Sequence, residues 1–120
     1  MLTIPAATAW VLLARTTATA IGARADLPID RLDDLALAVD EASALLLAVT
    51  RPGGQITLRF SATADRSIEV ALSAPTSAAP PSRTSFAWLV LTALVDEVIA
   101  TTDGEQLSLR LRLDPSELAT

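Results

Sequence analysis

Near the end of the chain, Leu107, Leu109, Leu111 and Leu113 alternate strictly with Ser108, Arg110 and Arg112. Side chains of a strand point alternately to opposite faces, so this segment predicts a strand with one apolar and one polar face. A strand of that kind is stable only in a sheet whose apolar side is covered while the other side stays in water. The rest of the chain must therefore supply partner strands and a cover.

Two more runs alternate in the same way. Ile56, Leu58 and Phe60 are interleaved with Thr57 and Arg59, and Ile68 and Val70 flank Glu69. With Ala62-Thr-Ala-Asp-Arg-Ser67 between them they read as an antiparallel hairpin. Leu2-Thr-Ile4, closed by Pro5, reads as a short first strand. The cover comes from segments with helical periodicity. Ala9 to Ala23 carries Val11, Leu12, Ala18 and Ile21, with Thr8 as the expected N-cap. A second helix is expected from Asp30, as N-cap, to Val49, with Asp33 and Asp34 near its positive end and Arg51-Pro-Gly-Gly54 stopping it. After a Pro/Ser/Ala-rich loop from Ala74 to Thr84, a third helix is expected from Ser85, as cap, to Ile99, followed by a turn at Asp103-Gly104. The tail beyond Asp114-Pro115 reads as loose or as a last short turn. The order β-α-α-β-β-loop-α-β predicts a two-layer α/β sandwich, with helices on one face of a mainly antiparallel sheet. Arg59, Glu69, Arg110 and Arg112 would line the open face.

Composition narrows the chemistry. The chain has 120 residues, suited to one domain over 1–120. It has no Cys, no His and no Lys; its nine cations are all Arg. Thiol and imidazole catalysis, Cys/His metal sites and a Walker-type lysine are thereby excluded, and any general base must be a carboxylate. The net charge of −5 argues against nucleic acid and favours a basic partner surface. No apolar run approaches the roughly 18 residues of a membrane span, and no basic leader precedes the apolar start. A cytoplasmic protein is expected.

The titratable residues concentrate on the second helix. At about 100° per residue, Asp33, Asp34, Asp40 and Glu41 fall within a sector of roughly 120°. This is either a solvated acidic face or, in the sharper reading, a face on which Glu41 looks into a pocket as a general base. Leu45, four residues on, shares its side of the helix and offers no oxygen to a metal.

Leu35-Ala-Leu-Ala-Val-Asp-Glu-Ala-Ser43 resembles the N-box of the anti-sigma-factor serine kinases, members of the superfamily of gyrase-, histidine-kinase- and MutL-type ATPases. Ser85-Phe-Ala-Trp-Leu-Val-Leu-Thr-Ala-Leu-Val-Asp-Glu-Val98 is similar to the helix that follows the family's ATP lid. Ile4-Pro-Ala6, the hairpin and the closing strand fall in the family's order, so the resemblance covers nearly the whole chain. It is strongest to the stress-response anti-sigma factors of high-GC Gram-positive bacteria and implies the histidine-kinase-like ATPase fold.

The resemblance also assigns roles. The family's catalytic Glu matches Glu41, and its Mg²⁺-binding Asn falls on Leu45. Its adenine-binding Asp, which opens an Asp-x-Gly-x-Gly turn, falls on Ser73 or Ala74, and no Gly lies between Gln55 and Thr102. Its phosphate-cradling glycines fall near Ser85 and Ala87, after Pro80 and Pro81, which lack N–H donors. The resemblance therefore implies a fold without a working ATP site: Glu41 vestigial, no Mg²⁺ or other metal, no ATP. The family's sigma-contacting Arg falls on Arg15, the only charged side chain between Met1 and Ala23. The expected function is sequestration of a sigma factor, with release by an anti-anti-sigma factor, as a homodimer. The alternative is an active ATP-dependent serine kinase that phosphorylates the anti-anti-sigma partner. Trp10 is a candidate interface anchor, and Trp88 reads as core.

Overall fold

A computed structural model describes residues 1–115. The tail expected to be loose lies outside the described residues. The elements run β1 (Leu2–Pro5), α1 (Thr8–Arg24), α2 (Ile29–Val49), β2 (Gln55–Ala62), β3 (Ile68–Pro75), α3 (Phe86–Leu94), β4 (Glu97–Thr102) and β5 (Gln106–Leu113). The strands form one sheet in the order β1-β2-β3-β5-β4, and every pairing is antiparallel. The three helices share one face. This is the expected two-layer sandwich.

The alternation sets the layers. Ile56 and Leu58 of β2, Ile68, Val70 and Leu72 of β3, and Leu107, Leu109, Leu111 and Leu113 of β5 are all buried under the helices. From above they meet Leu35, Ala38, Val39, Ala42 and Leu46, one stripe of α2 at helical spacing. Burying each Leu or Ile of this set contributes about 1.5–3 kcal/mol against an exposed position. On the opposite face the register aligns hydroxyls across the whole sheet. Thr3 lies opposite Thr57, Thr57 opposite Ser73, Ser73 opposite Ser108, and Ser108 opposite Thr101. Beside this row stand Arg59, Arg110 and Arg112, with Arg110 Nε 3.9 Å from Glu69 Oε1.

Several boundaries differ from the sequence expectation. The third helix stops at Leu94, not Ile99, because Val95 turns extended (φ −122°, ψ 163°) and Glu97–Thr102 becomes β4. The residues past Leu94 include Val95, Val98, Ile99, Thr101 and Thr102, whose branched Cβ favours a pleated strand over a helix. There Val98 and Ala100 pack against the core. Ala74 and Pro75 belong to β3 and not to a loop: Ala74 is buried and pairs with Leu107. Thr8 is not the cap of α1. Ala7 holds that position with no side-chain bond, and Thr8 is already helical. Pro28, not Asp30, precedes α2; its fixed φ of −59° starts the helix, and Asp30 sits in the first turn. Ser85 is the cap expected of it, accepting from Trp88 N–H at 3.2 Å.

α1 and α2 approach closely at Gly22. A Cβ there would come within 2.8 Å of Leu32 Cδ2 and 2.9 Å of Leu35 Cδ2, so any larger residue would have to push these leucine ends aside. Near the same end of α2, Arg31 ties the layers together. Its Nη1 donates to Asp34 (2.8 Å), its Nη2 to Asp96 (2.6 Å) and its Nε to the Asp114 carbonyl (3.2 Å). Asp96 also accepts from Asp114 N–H at 2.7 Å, and Ser67 donates to Asp114 Oδ1 at 2.8 Å. One guanidinium thus joins α2, the α3–β4 junction and the exit of β5. This ion-pair network was not anticipated from the sequence.

Candidate functional site

The acidic sector of α2 is split between two neighbours. Asp33 and Asp40, seven residues apart, share the edge facing α1. Asp33 lines a groove with α1, and Asp40 accepts from Arg15 Nη1 at 3.1 Å. Asp34 and Glu41, likewise seven apart, share the other edge, where Asp34 meets Arg31. The crest between these edges is not acidic: Leu37 is 53% exposed and Ala44 is exposed. Glu41 is half-buried, and among the described residues no hydrogen bond or ion pair engages its carboxylate.

Leu45, one turn beyond Glu41, is half-buried and packs against the core cluster. Where a Mg²⁺ site needs a hard oxygen ligand, it presents methyl groups. β3 runs unbroken through Ser73 and Ala74, both in register with β5. Their side chains point to opposite faces, so only Ala74 faces the helices, and Ser73 belongs to the hydroxyl row beneath the sheet. Past β3 the chain leaves by another route: Thr76 N–H donates to the Glu105 carbonyl at 2.9 Å, and Thr76 Oγ1 accepts from Ala78 N–H. At the start of α3, Ser85 Oγ caps Trp88 N–H and donates to the Ser82 carbonyl at 2.8 Å. A group that closes its own helix start is not an open cradle of backbone amides. Ala87 is half-buried one residue into the helix. The five positions present methyls, a capped helix start and a continuous strand.

The surface is more developed on the α1 side. A groove of about 580 Å³ lies between α1 and α2 and is lined by Leu12, Arg15, Thr19, Asp33, Ala36 and Leu37 among others. Leu12 is 58% exposed on its rim. α1 carries apolar or hydroxyl side chains nearly all round, and its outer flank shows Trp10 and Leu13. Trp10 is exposed, as an interface anchor must be. Trp88 is buried, as expected, with the Arg83 guanidinium 5.6 Å from its ring centre.

Two turns carry carboxylates whose pKa is lowered. Asp65, in the β2–β3 turn, is held down first by the Thr63 hydroxyl and then by Ser67. Asp103, in the β4–β5 turn, is held down by the N–H groups of Glu105 and Gln106. Both are tip-of-hairpin caps, remote from Glu41 and Arg15. Among the described residues no cluster of acidic side chains has metal-binding geometry, and no helix is long and apolar enough to cross a membrane.

No family model matches the chain. Over 94 residues, 78% of the chain, it is 37% identical to the anti-sigma-F factor RsbW of Mycobacterium tuberculosis strain CDC 1551 / Oshkosh, and equally to that of strain ATCC 25618 / H37Rv. The match covers 56% of those proteins, so the chain spans about half the length of the curated relatives it matches. A solved histidine kinase domain, from the Erythrobacter litoralis EL346 blue-light activated histidine kinase, superposes with a TM-score of 0.67. That superposition covers 91% of this chain and 61% of the other at 17% identity, a likeness of fold. With the N-box segment on α2, the five-stranded antiparallel sheet and this relationship in sequence, the chain belongs to the family of RsbW-type anti-sigma factors, built on the histidine-kinase-like ATPase fold.

Proposed function

We propose that this protein is a regulator that sequesters a sigma factor in the cytoplasm by protein–protein binding, and that an anti-anti-sigma partner releases it. The observation that carries this reading is the 37% identity over 94 residues to anti-sigma-F factors. The binding surface is the exposed side of α1, with Arg15 at its centre and aliphatic side chains around it. Sequestration needs only an interface that covers a working surface of the sigma factor, and no covalent chemistry enters. A homodimer is the assembly this reading expects. The test is direct: each sigma factor of the source genome is purified and titrated into the protein by calorimetry. One of them should bind with a Kd below about 1 μM, near −8 kcal/mol. A panel in which none binds would overturn the proposal.

The second reading, an active serine kinase, is favoured by one observation, the unengaged Glu41 carboxylate. Leu45, the unbroken β3 and the self-capped α3 weigh against it. We therefore expect millimolar Mg-ATP to leave the melting temperature unmoved. A ligand at about 100 times its Kd stabilises a fold by about 2.7 kcal/mol, a shift of several degrees for a domain of this size. An upward shift that disappears on chelating Mg²⁺ would restore the kinase reading. In that case a phosphorylated partner species should also be lost in Glu41→Ala.

A further inference from the structure

Arg15 does not stand free on α1. Its Nη1 donates to Asp40 Oδ2 at 3.1 Å, across the boundary between α1 and α2. Both side chains remain reachable from solvent, at 44% and 30% exposure. Arg15 also lines the α1–α2 groove, whose other charged lining residue is Asp33. Arg15 is thus held by one carboxylate, with a second lining the same groove, in a chain of net charge −5. We propose that Asp40 is an internal competitor for Arg15: the partner's carboxylate must take the place of Asp40 on the guanidinium, so this ion pair sets the affinity for the partner. The inference rests on the reading that Arg15 meets the sigma factor.

The physical argument has two parts. An end-on bidentate grip on a carboxylate uses both Nη atoms of Arg, and Asp40 already holds one of them. A second carboxylate arriving beside Asp40 also meets like charge at a few ångströms, in a partly exposed site where salt screens the repulsion only in part. Asp40→Asn removes the charge and keeps the shape. The amide oxygen still accepts from Arg15, but as a neutral acceptor it is the weaker and more easily displaced partner.

The experiment uses the full chain and the sigma factor that binds it in the genomic panel. Asp40→Asn should tighten binding about fivefold at low salt, the size of a single surface charge contact. That gain should shrink at half-molar salt, with the melting temperature unchanged. Asp33→Asn, which removes the same charge from the same groove without touching Arg15, should change binding less than about twofold. In an Arg15→Ala background the gain from Asp40→Asn should shrink to the part owed to like-charge repulsion alone, which half-molar salt removes. If Arg15→Ala weakens binding but Asp40→Asn leaves it unchanged or weakens it, the competitor proposal is overturned while the Arg15 interface stands. A gain of undiminished size without Arg15 overturns it as well. If no sigma factor binds, or if Arg15→Ala has no effect, the underlying functional reading falls and the proposal with it.

Discussion

Arg15→Ala should weaken sigma-factor binding by about 30-fold or more, with the circular dichroism spectrum and melting temperature unmoved. Truncating one side of a partly desolvated Arg–carboxylate pair typically costs about 2 kcal/mol or more, because the partner's charge is left buried without its match. Inside the free protein Arg15 forms only the surface pair with Asp40, half in water, and such a pair contributes about 0–1 kcal/mol to stability. Loss of binding without loss of fold is therefore expected. Arg110→Ala on the open sheet face, whose Nε is 3.9 Å from Glu69, should change binding far less. Calorimetric titration of both variants decides the point; equal losses would move the interface from the helix to the sheet.

Arg31→Ala should do the reverse, lowering stability strongly without touching the proposed interface. The Arg31 side chain is only 14% exposed and donates to Asp34, Asp96 and the Asp114 carbonyl. Its removal takes the cation from two carboxylates partly withdrawn from water and leaves Asp96 only the Asp114 N–H, a type of change that costs about 3 kcal/mol. For a domain of this size that corresponds to a drop in melting temperature of more than about 10 °C. Arg31→Lys should recover less than half of the loss, since one ammonium group cannot reach three acceptors set around a planar fork. Urea unfolding of the three proteins measures it. A cost below about 1 kcal/mol for Arg31→Ala would show that the layers hold without this junction.

The contrast between these residues shows what the sequence carried. The strands were legible wherever one face is wet: Leu107 to Leu113 and the β2–β3 hairpin announce themselves by alternation, and α2 by its stripe from Leu35 to Leu46. β4 was not legible as a separate strand. The apolar run from Phe86 continues past Leu94 without a Gly or Pro, so helical periodicity reads straight through a break that packing imposes at Val95. The caps at Thr8 and Asp30 were misread by one or two positions, because a good capping side chain one residue inside a helix looks the same in sequence as one at its edge. At the candidate site, family likeness picks out Glu41, Leu45, Ser73 or Ala74, Ser85 and Ala87 by position, but pairing was not legible. Arg15 and Asp40 lie 25 residues apart, and Arg31 and Asp96 lie 65 apart. Nothing local in the chain marks which of several carboxylates an arginine will find.

The row of hydroxyls beneath the sheet has a consequence for assembly. Two sheets stack face to face only when apolar side chains from both interdigitate to fill the space of about 10 Å between them. Thr3, Thr57, Ser73, Ser108 and Thr101, flanked by Arg59, Arg110 and Arg112, offer short polar groups and fixed charges instead. A second sheet laid on this face would strip water from hydroxyls and guanidinium groups and give them little in return. The underside is thereby kept single-layered, and binding through apolar contact is steered to the helical side, where Leu12, Leu13, Leu37 and Trp10 stand in solvent.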